Sequence, residues 1–261
     1  MPGDHHAAIR RFTVLGVPIS AITMADAVST IGEWIGARTR NYVCVTGVHG
    51  VIESGRDEEL SRIHAGAGLV TPDGMPLVWL AHLYGERQVE RVYGPDLMIA
   101  CCAESQKRGW RHFLFGGAAG VPELLARRLV ARFPRLQVCG AYSPPFRALS
   151  EDEDRALVER INAAHPDIVW VGLSTPKQER WMAAHVGRLD APALIGVGAA
   201  FDFHAGIKRQ APRWMQRSGL EWSFRLLSEP RRLGRRYLVN NPLFVYKIAL
   251  QLAGRRVSGG A

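Results

Sequence analysis

Short apolar runs alternate with segments of helical periodicity along most of this 261-residue chain. The apolar runs have the length and the bounding turns of buried strands. Strands that alternate with helices indicate a mostly parallel sheet with helices on both faces, so the sequence predicts an α/β, Rossmann-like fold. The predicted strands lie at Phe12–Ile19, a strand pair around Gly16, and at Asn41–Val45, Leu69–Val70, Arg111–Phe115, Leu136–Ala141, Asp167–Gly172 and Ala193–Gly198.

The predicted helices lie between these strands, and two of them carry clear start signals. Thr23 is placed to cap a helix over Met24–Ala37, and Ser150 with Glu153 forms a capping box for a helix that ends at Ala164. The segment Met1–Arg11 is predicted as a disordered lead. The other helices are predicted around Val51, over Arg56–Ala65, Pro76–Tyr84, Pro95–Arg108 and Val121–Arg132, and in a segment that ends at His185.

The segment after Gly206 departs from this rhythm. It interleaves aromatic and arginine residues, and Pro212, Pro230 and Pro242 are predicted to divide it into short helices. Interfacial membrane helices combine Trp, Phe or Leu on one face with Arg on the other. The alternative is a set of ordinary surface helices whose aromatic side chains pack on the core. The basic residues predicted to contact a membrane are Arg225, Arg231, Arg232, Arg235 and Arg236.

The uneven distribution of charge favours the membrane interpretation. The chain carries a net charge of +9. Residues 207–261 hold twelve Lys or Arg and two Glu, hence +10, whereas residues 1–206 hold 21 basic and 22 acidic side chains, hence −1. All of the basic excess belongs to the C-terminal segment, which points to an anionic partner there. We predict two domains, an α/β core over residues 1–206 and an Arg-rich, membrane-associating appendage over residues 207–261.

Composition indicates the cellular compartment and limits the chemistry that we expect. No apolar run reaches the length of a membrane span, and the N-terminus lacks a signal peptide's apolar centre, so we expect a cytoplasmic protein. Cys44, Cys101, Cys102 and Cys139 form no disulfide framework and are predicted to be buried free thiols. The sequence has neither a zinc-type cluster nor a well-placed Asp-X-Asp pair, so we predict no metal and no cofactor.

The stretch Gly68-Leu-Val-Thr-Pro-Asp-Gly-Met-Pro76 reads as a short strand, a tight turn and the start of a helix. Pro72 fixes φ, and Gly74 tolerates the backbone angles of a sharp turn. Asp73 therefore lies at the carboxyl end of a predicted strand, which is the edge where open α/β sheets bind ligands. The alternative is an Asp that only caps the following helix.

Four other positions lie on loops that are expected at the same edge of the sheet. Gly116-Gly117 separates a strand from a helix, and suits either a phosphate-binding turn or a plain tight turn. Arg91 suits a diphosphate or a surface salt bridge. Gln178 suits a sugar or phosphate ligand, or is a solvated residue of a first helical turn. Asp202 suits ribose hydroxyls, or it caps a helix or pairs with an arginine.

Two other functions fit parts of the sequence. Gly196-Val-Gly-Ala-Ala-Phe201 resembles the start of a dinucleotide fingerprint and would suit a nicotinamide-dependent oxidoreductase, but Phe201 replaces the third small residue. The basic tail would suit a nucleic-acid-binding protein, but the balanced charge of the preceding residues argues against it, and we expect no nucleic-acid partner. NADH binding would favour the first alternative, and salt-dependent binding of RNA or DNA without binding to lipid would favour the second.

Five motifs, in their order along the chain, resemble the WecG/TagA/CpsF glycosyltransferases. The resemblance extends from about Phe12 to Ile248, and the ordered set is far more specific than any single motif. The motifs are Thr71-Pro-Asp-Gly74, Glu90-Arg-Val-Tyr-Gly-Pro-Asp-Leu-Met98, Phe113-Leu-Phe-Gly-Gly117, Gly172-Leu-Ser-Thr-Pro-Lys-Gln-Glu179 and Gly196-Val-Gly-Ala-Ala-Phe-Asp-Phe203.

The resemblance implies transfer of a sugar from a UDP-sugar to a polyprenyl-diphosphate-linked saccharide at the inner face of the cell membrane, with inversion and without a metal. The donor sugars that it implies are of the N-acetylmannosamine type or glucose. It places the catalytic carboxylate on Asp73 and an active-site threonine on Thr46. The family's Arg and Gln fall on Arg91 and Gln178, and its nucleotide-side Asp falls on Asp202. The family's basic appendage corresponds to the C-terminal segment of this chain.

On this hypothesis, Asp73 is the general base, and Arg91, the Gly116-Gly117 backbone and Gln178 stabilise the departing UDP. The arginines of the C-terminal segment are expected to contact the membrane or the lipid diphosphate. One departure from the family concerns the sugar, because many members have an Asn two residues after the Thr, where this chain has Val48. The neighbouring His49 either takes over that sugar contact or is a structural residue at a helix start. The sequence also leaves a homo-oligomer open.

Overall fold

A six-stranded, all-parallel sheet forms the centre of the molecule, with strand order β4-β3-β8-β7-β5-β6. The computed structural model describes the backbone of residues 9–258 and the side chains of residues 9–254. The α/β, Rossmann-like prediction is thus confirmed. The strands are β1 (Arg11–Val14), β2 (Val17–Ser20), β3 (Asn41–Thr46), β4 (Leu69–Pro72), β5 (Arg111–Gly116), β6 (Gln137–Tyr142), β7 (Ile168–Gly172) and β8 (Ala193–Gly196).

Helices follow most of the strands, and the start signals act as predicted. The side chain of Thr23 accepts a hydrogen bond from the N–H of Asp26, and Ser150 with Glu153 forms the second capping box. The helices are α1 (Met24–Ala37), α2 (Val48–Ser54), α3 (Glu58–Gly66), α4 (Met75–Leu83), α5 (Gly94–Arg108), α6 (Val121–Arg132), α7 (Glu151–Ala163), α8 (Lys177–His185), α9 (Ala200–His204), α10 (Arg213–Arg217), α11 (Glu221–Ser228) and α12 (Pro230–Ser258).

The N-terminal prediction is resolved only in part. The strand pair around Gly16 is the antiparallel hairpin β1–β2. Most of the predicted disordered lead Met1–Arg11 lies outside the described residues. Arg11, its last residue, begins β1, so the predicted boundary is too late at this position.

Alternate residues of the central strands face two separate apolar clusters. Tyr42 and Cys44 of β3 join the cluster on one face of the sheet, whereas Val43 between them joins the cluster on the other face. The same alternation places Trp170 of β7 on one face of the sheet and its neighbours Val169 and Val171 on the other face. Both faces are therefore covered, as the apolar runs predict. The cysteines are free thiols and three are buried, with Cys139 only partly buried.

The prediction that Pro242 divides the C-terminal segment is wrong, because α12 is 29 residues long and continues through Pro242. A proline inside a helix costs on the order of 3 kcal/mol. Apolar side chains on both sides of it offset that cost, since Leu233, Phe244 and Ile248 are buried and each contributes about 1.5–3 kcal/mol. In the part of the chain with assigned structure, none of the helices, α12 included, combines the length with the apolar character needed to cross a bilayer.

Candidate active site

A cleft of about 1900 Å³ opens at the carboxyl edge of the parallel sheet. Residues that follow β3, β4, β5, β7 and β8 form its floor, and α10, α11 and α12 supply the opposite wall. Parallel strands present all their carboxyl ends on one edge, which is why residues distant in sequence meet here. Of the predicted site residues, Asp73, Arg91, Gly117, Gln178 and Asp202 line this cleft, whereas Thr46 and Gly116 do not.

Asp73 faces the cleft from the turn after β4. Its N–H donates to the carbonyl oxygen of Thr46 (3.0 Å), and its Oδ1 accepts a hydrogen bond from the N–H of Gly94 (3.2 Å). The N-cap of α4 is Gly74, with no side-chain hydrogen bond, so the alternative role of Asp73 as a cap is wrong. Burial raises the pKa of Asp73, and the opposing charge of Arg91 only partly offsets this.

Thr46 is buried beneath the cleft and does not line it. Its hydroxyl lies 3.0 Å from Nε2 of His64, whose Nδ1 lies 2.9 Å from the carbonyl oxygen of Leu60. Because a carbonyl only accepts, the His64 proton is on Nδ1, and Nε2 accepts from the Thr46 hydroxyl. Burial lowers the pKa of His64, which keeps it neutral. Thr46 therefore positions Asp73 through its backbone carbonyl, and the sequence did not identify His64 behind it.

Arg91 is tied to protein groups on three sides. Its Nε donates to the backbone carbonyl of Asp73, and its Nη2 forms an ion pair with Glu221 of α11. The guanidinium carbon lies 4.0 Å from the centre of the Tyr93 ring, and the Tyr93 hydroxyl donates to the other Glu221 oxygen (2.8 Å). This ion pair is largely buried, so the surface salt bridge considered for Arg91 is wrong. Glu221, one of two acidic residues in the basic segment, was not predicted.

The Gly116-Gly117 turn is built for close backbone contact. A Cβ on Gly116 would lie 2.7 Å from the Gly172 backbone, and its φ of +125° also favours glycine. The N–H of Gly117 donates to the Gly172 carbonyl oxygen (3.0 Å), so this N–H is already used. The ring of Phe201 packs against Gly172 and Gly117, where a dinucleotide fingerprint needs a small residue.

Gln178 is buried on the floor of the cleft, so the solvated alternative for it is wrong. Its Nε2 donates to Oε1 of Glu179 (3.1 Å), which also accepts from the Thr175 hydroxyl (2.8 Å). Oε1 of Gln178 has no hydrogen-bond partner among the described residues. A buried carbonyl oxygen without a donor costs free energy, and a ligand hydroxyl would satisfy it. Burial raises the pKa of Glu179. The sequence analysis did not identify Glu179 as the residue that accepts the hydrogen bond from Gln178.

Asp202 lies on the same floor, in the short helix α9. Its carboxylate pairs with Lys208 (2.8 Å), so its partner is a lysine where the sequence allowed an arginine. Lys208 also contacts Glu229 (3.1 Å), which in turn pairs with Arg232. A chain of alternating charges therefore connects the floor of the cleft to α12.

Arg225 and Arg236 differ from the other arginines of the cleft. Both are only partly exposed, and among the described residues neither has a carboxylate within ion-pair distance. The Nε of Arg236 is buried, and no residue in the described part of the chain forms a hydrogen bond with it. Burial lowers the pKa of Arg236, as do the neighbouring charges of Arg225 and Arg232. Two guanidinium groups of like charge that have no carboxylate partner among the described residues, and that lie in one cleft with Asp73, suit an anion with several charges.

The remaining predicted basic residues lie on the outside of the same segment. Arg231 and Arg235 are exposed and do not line the cleft. Arg232 is exposed but reaches the rim of the cleft, where it pairs with Glu229. The five arginines that the sequence grouped together thus divide between the inside and the outside of the cleft.

The raised pKa of Asp73 leads to a pH prediction for any reaction in which it is the base. A carboxylate must be ionised to accept a proton, so kcat/KM should fall tenfold per pH unit below its pKa. Because burial raises that pKa above the ordinary 3.8, this acid limb should begin above pH 3.8. A pH profile of kcat/KM measures this, and a profile that stays level down to pH 3.8 would contradict it.

His64 and His49 are the neighbouring groups that could confuse such a profile. Burial lowers the pKa of both, that of His49 to about 3, so loss of the acid limb in an Asp73→Asn variant is needed to assign that limb to Asp73. Across the part of the chain whose side chains are placed, no cluster of three or more His, Cys, Asp or Glu residues is arranged to hold a metal ion. The absence of a metal from the reaction stays a prediction.

Comparison with known proteins identifies the family that the sequence motifs resemble, and the match extends along nearly the whole chain. The model of the glycosyl transferase WecG/TagA/CpsF family matches residues 12–258. The N-acetylglucosaminyldiphosphoundecaprenol N-acetyl-beta-D-mannosaminyltransferases of Staphylococcus aureus strains MW2 and NCTC 8325 are each 28% identical over 252 residues. Each alignment covers 95% of this chain and 96% of the relative.

Proposed function

Because this chain belongs to the WecG/TagA/CpsF family of glycosyl transferases, we propose that it transfers a sugar from a UDP-sugar to a polyprenyl-diphosphate-linked saccharide. The observation that carries the proposal is that Arg225 and Arg236 lie in one cleft with Asp73 and have no carboxylate partner among the described residues. Both substrates carry a diphosphate, and Arg binds phosphate oxygens in a forked, charge-assisted geometry. The Staphylococcus relatives are named for an acceptor with a polyprenyl diphosphate.

The reaction we propose is a single displacement with inversion. Asp73 accepts the proton of the acceptor hydroxyl as its oxygen attacks the anomeric carbon of the donor. The bond from that carbon to the diphosphate oxygen breaks, and its electron pair leaves with UDP. Negative charge develops on the diphosphate, and nearby guanidinium groups stabilise it without a metal. Resistance of the activity to a chelator would support that last point.

The other predicted residues have more limited roles in this proposal. Gln178 presents an unpartnered carbonyl oxygen to a substrate hydroxyl, and Asp202 lies where it can bind ribose hydroxyls once Lys208 shifts. Arg91 holds the Asp73 loop against α11, and it reaches a diphosphate only if Glu221 releases it. We assign the Gly116-Gly117 turn to shaping the floor, because the Gly117 N–H is already bonded.

A panel of UDP-sugars assayed with a short-chain lipid-diphosphate saccharide tests the function directly. N-acetylmannosamine-type sugars and glucose are the donors we propose. This assay decides between them, because this chain has Val48 where many family members have an Asn. Release of UDP that depends on both substrates is the expected result. Binding of NADH without binding of UDP would overturn the proposal in favour of an oxidoreductase.

We further propose that residues 207–261 hold the enzyme on an anionic membrane, at its inner face. Large apolar side chains are exposed around the mouth of the cleft, on α4 of the core as well as on α12. They are accompanied by the exposed Arg231 and Arg235, and this is the combination that interfacial helices use. The exposed apolar residues of this rim are Trp79, Leu83, Leu238, Val245 and Tyr246.

Polar substitution of the rim should weaken binding to vesicles. Trp79 and Leu238 are 50% and 65% exposed, so Trp79→Ser with Leu238→Ser changes little of the core and should lower affinity by about tenfold or more. Arg231→Gln with Arg235→Gln should also lower it, since each charge near the surface contributes about 1 kcal/mol. Sedimentation with anionic vesicles measures both effects.

Val130→Ser is the matched control for this test, because Val130 is an exposed apolar residue of α6 that does not line the cleft. It should bind vesicles like the unaltered chain. Equal sedimentation of the rim variants and the control would refute the membrane assignment and would leave the transfer reaction untouched.

A further inference from the structure

His49 lies on the first turn of α2 and lines the cleft near Asp73. It comes two residues after Gly47, and a Cβ built on Gly47 would lie 3.5 Å from the Oδ2 of Asp73. Its neighbour Val48 has no polar side-chain atom to offer a sugar. His49 is therefore the polar side chain that this part of α2 supplies to the cleft.

A hydrogen-bond network decides which ring nitrogen of His49 carries the proton. The Oδ1 of Asn240, on α12, accepts from Nη1 of Arg56 (3.2 Å). The Nδ2 of Asn240 donates to Nδ1 of His49 (2.8 Å) and lies 3.4 Å from the Glu53 carboxylate. Arg can only donate and a carboxylate can only accept, so both ends of the amide have a determined orientation. Nδ1 of His49 is consequently an acceptor and carries no proton.

The neutral ring must then be protonated on Nε2. Burial, together with the charges of Arg236 and Arg56, lowers the pKa of His49 to about 3. Glu53 is the opposing charge, but its Oε1 lies 3.8 Å from Nδ1, beyond hydrogen-bond distance. None of the hydrogen bonds among the described residues uses Nε2 of His49. An oriented N–H donor is thus left over beside the cleft.

We propose that His49 is a specificity-determining residue whose Nε2–H donates a hydrogen bond to a sugar oxygen bound beside Asp73, and that Asn240 is the positioning residue that sets its tautomer. This rests on the proposed function, because donor sugar and acceptor saccharide meet at Asp73. The oxygen belongs either to the donor sugar or to the acceptor, and the KM values for the two substrates distinguish these sources. Since Asn240 lies on α12, the donor is oriented only while α12 is docked on α2.

The first part of the test concerns the protein without substrate. In ¹⁵N NMR spectra of the full chain, a protonated ring nitrogen is distinguished from a bare one. We expect Nδ1 of His49 to be bare and Nε2 to be protonated. In Asn240→Asp, the carboxylate can only accept, so the proton should move to Nδ1. Asn241→Asp adds the same charge at the next position and should leave the tautomer as it is. A protonated Nδ1 in the unaltered chain would overturn the proposal.

The second part measures transfer kinetics. His49→Ala should raise KM for one of the two substrates roughly 3- to 10-fold, the loss expected for one hydrogen bond, with kcat changed less than about twofold. His49→Gln, which retains an N–H donor, should restore part of the loss. Unchanged KM values for both substrates in His49→Ala, with transfer intact, would overturn the proposal and leave the proposed function standing.

Asn240→Asp gives a pH signature that a merely structural role would not produce. At about pH 8.5, its neutral His49 should present a bare Nε2, and KM should rise as in His49→Ala. The added carboxylate raises the pKa of His49, so at a lower pH both ring nitrogens become protonated, the donor returns and KM recovers. Glu53 would reinforce this protonation, whereas Arg56 and Arg236 oppose it. An NMR titration of the ring locates that pH, and a KM defect that persists once both ring nitrogens are protonated would refute the tautomer mechanism.

Discussion

Replacement of Asp73 by Asn should lower the rate of sugar transfer by about 10²–10⁴-fold, the usual contribution of a general base. The amide keeps the shape of the side chain, and its oxygen can still accept from the Gly94 N–H at 3.2 Å. It cannot accept the proton of an acceptor hydroxyl. Affinity for UDP should remain nearly unchanged, because in the proposed reaction Asp73 contacts the reacting hydroxyl and not the nucleotide. Turnover with saturating substrates and calorimetric titration with UDP measure the two quantities.

Asp152→Asn is the matched control for this substitution. Asp152 is an exposed carboxylate in the first turn of α7 and does not line the cleft. The control should transfer sugar at the normal rate, and the acid limb of the pH profile should remain in it. In Asp73→Asn, the residual activity should have lost that limb. Near-normal turnover by Asp73→Asn would remove Asp73 from the mechanism.

Loss of the two unpaired arginines should produce the second large effect. Hydrogen bonds to charged groups contribute about 1.5–3 kcal/mol each, so Arg225→Gln and Arg236→Gln should each lower kcat/KM by about 10- to 150-fold. The double variant should lose more than either single one. A soluble short-chain acceptor in a vesicle-free assay removes any contribution of membrane binding. Arg217→Gln takes one exposed charge from the same segment outside the cleft and should leave kcat/KM unchanged.

Stability should change in the opposite direction in Arg236→Gln. Arg236 is held in a partly buried position beside the like charges of Arg225 and Arg232, which lowers its pKa. Removing one charge relieves that repulsion, so the melting temperature of Arg236→Gln should be equal or higher. A fall in activity together with a fall in melting temperature would indicate misfolding. Normal kcat/KM in the double variant would contradict the diphosphate site.

Most secondary structure followed from local signals. Thr23 and Ser150 begin their helices because a side-chain oxygen satisfies a free N–H within three residues, and this depends on no distant contact. Alternation of apolar runs with helices indicated the parallel sheet. The failure at Pro242 has the opposite cause. A local rule predicted a break, but burial of Phe244 and Ile248 against the core keeps the helix continuous.

The sequence by itself determined that Asp73 lies at the ligand-binding edge of an α/β sheet, because a strand, a turn and a helix start are encoded within nine residues. Only the tertiary structure decided the partner of each charge. Arg91 meets Glu221 130 positions away, His49 meets Asn240 191 positions away, and Arg225 and Arg236 meet no carboxylate among the described residues. A charge is neutralised by whatever group folding brings within a few ångströms, and no local pattern specifies that distance.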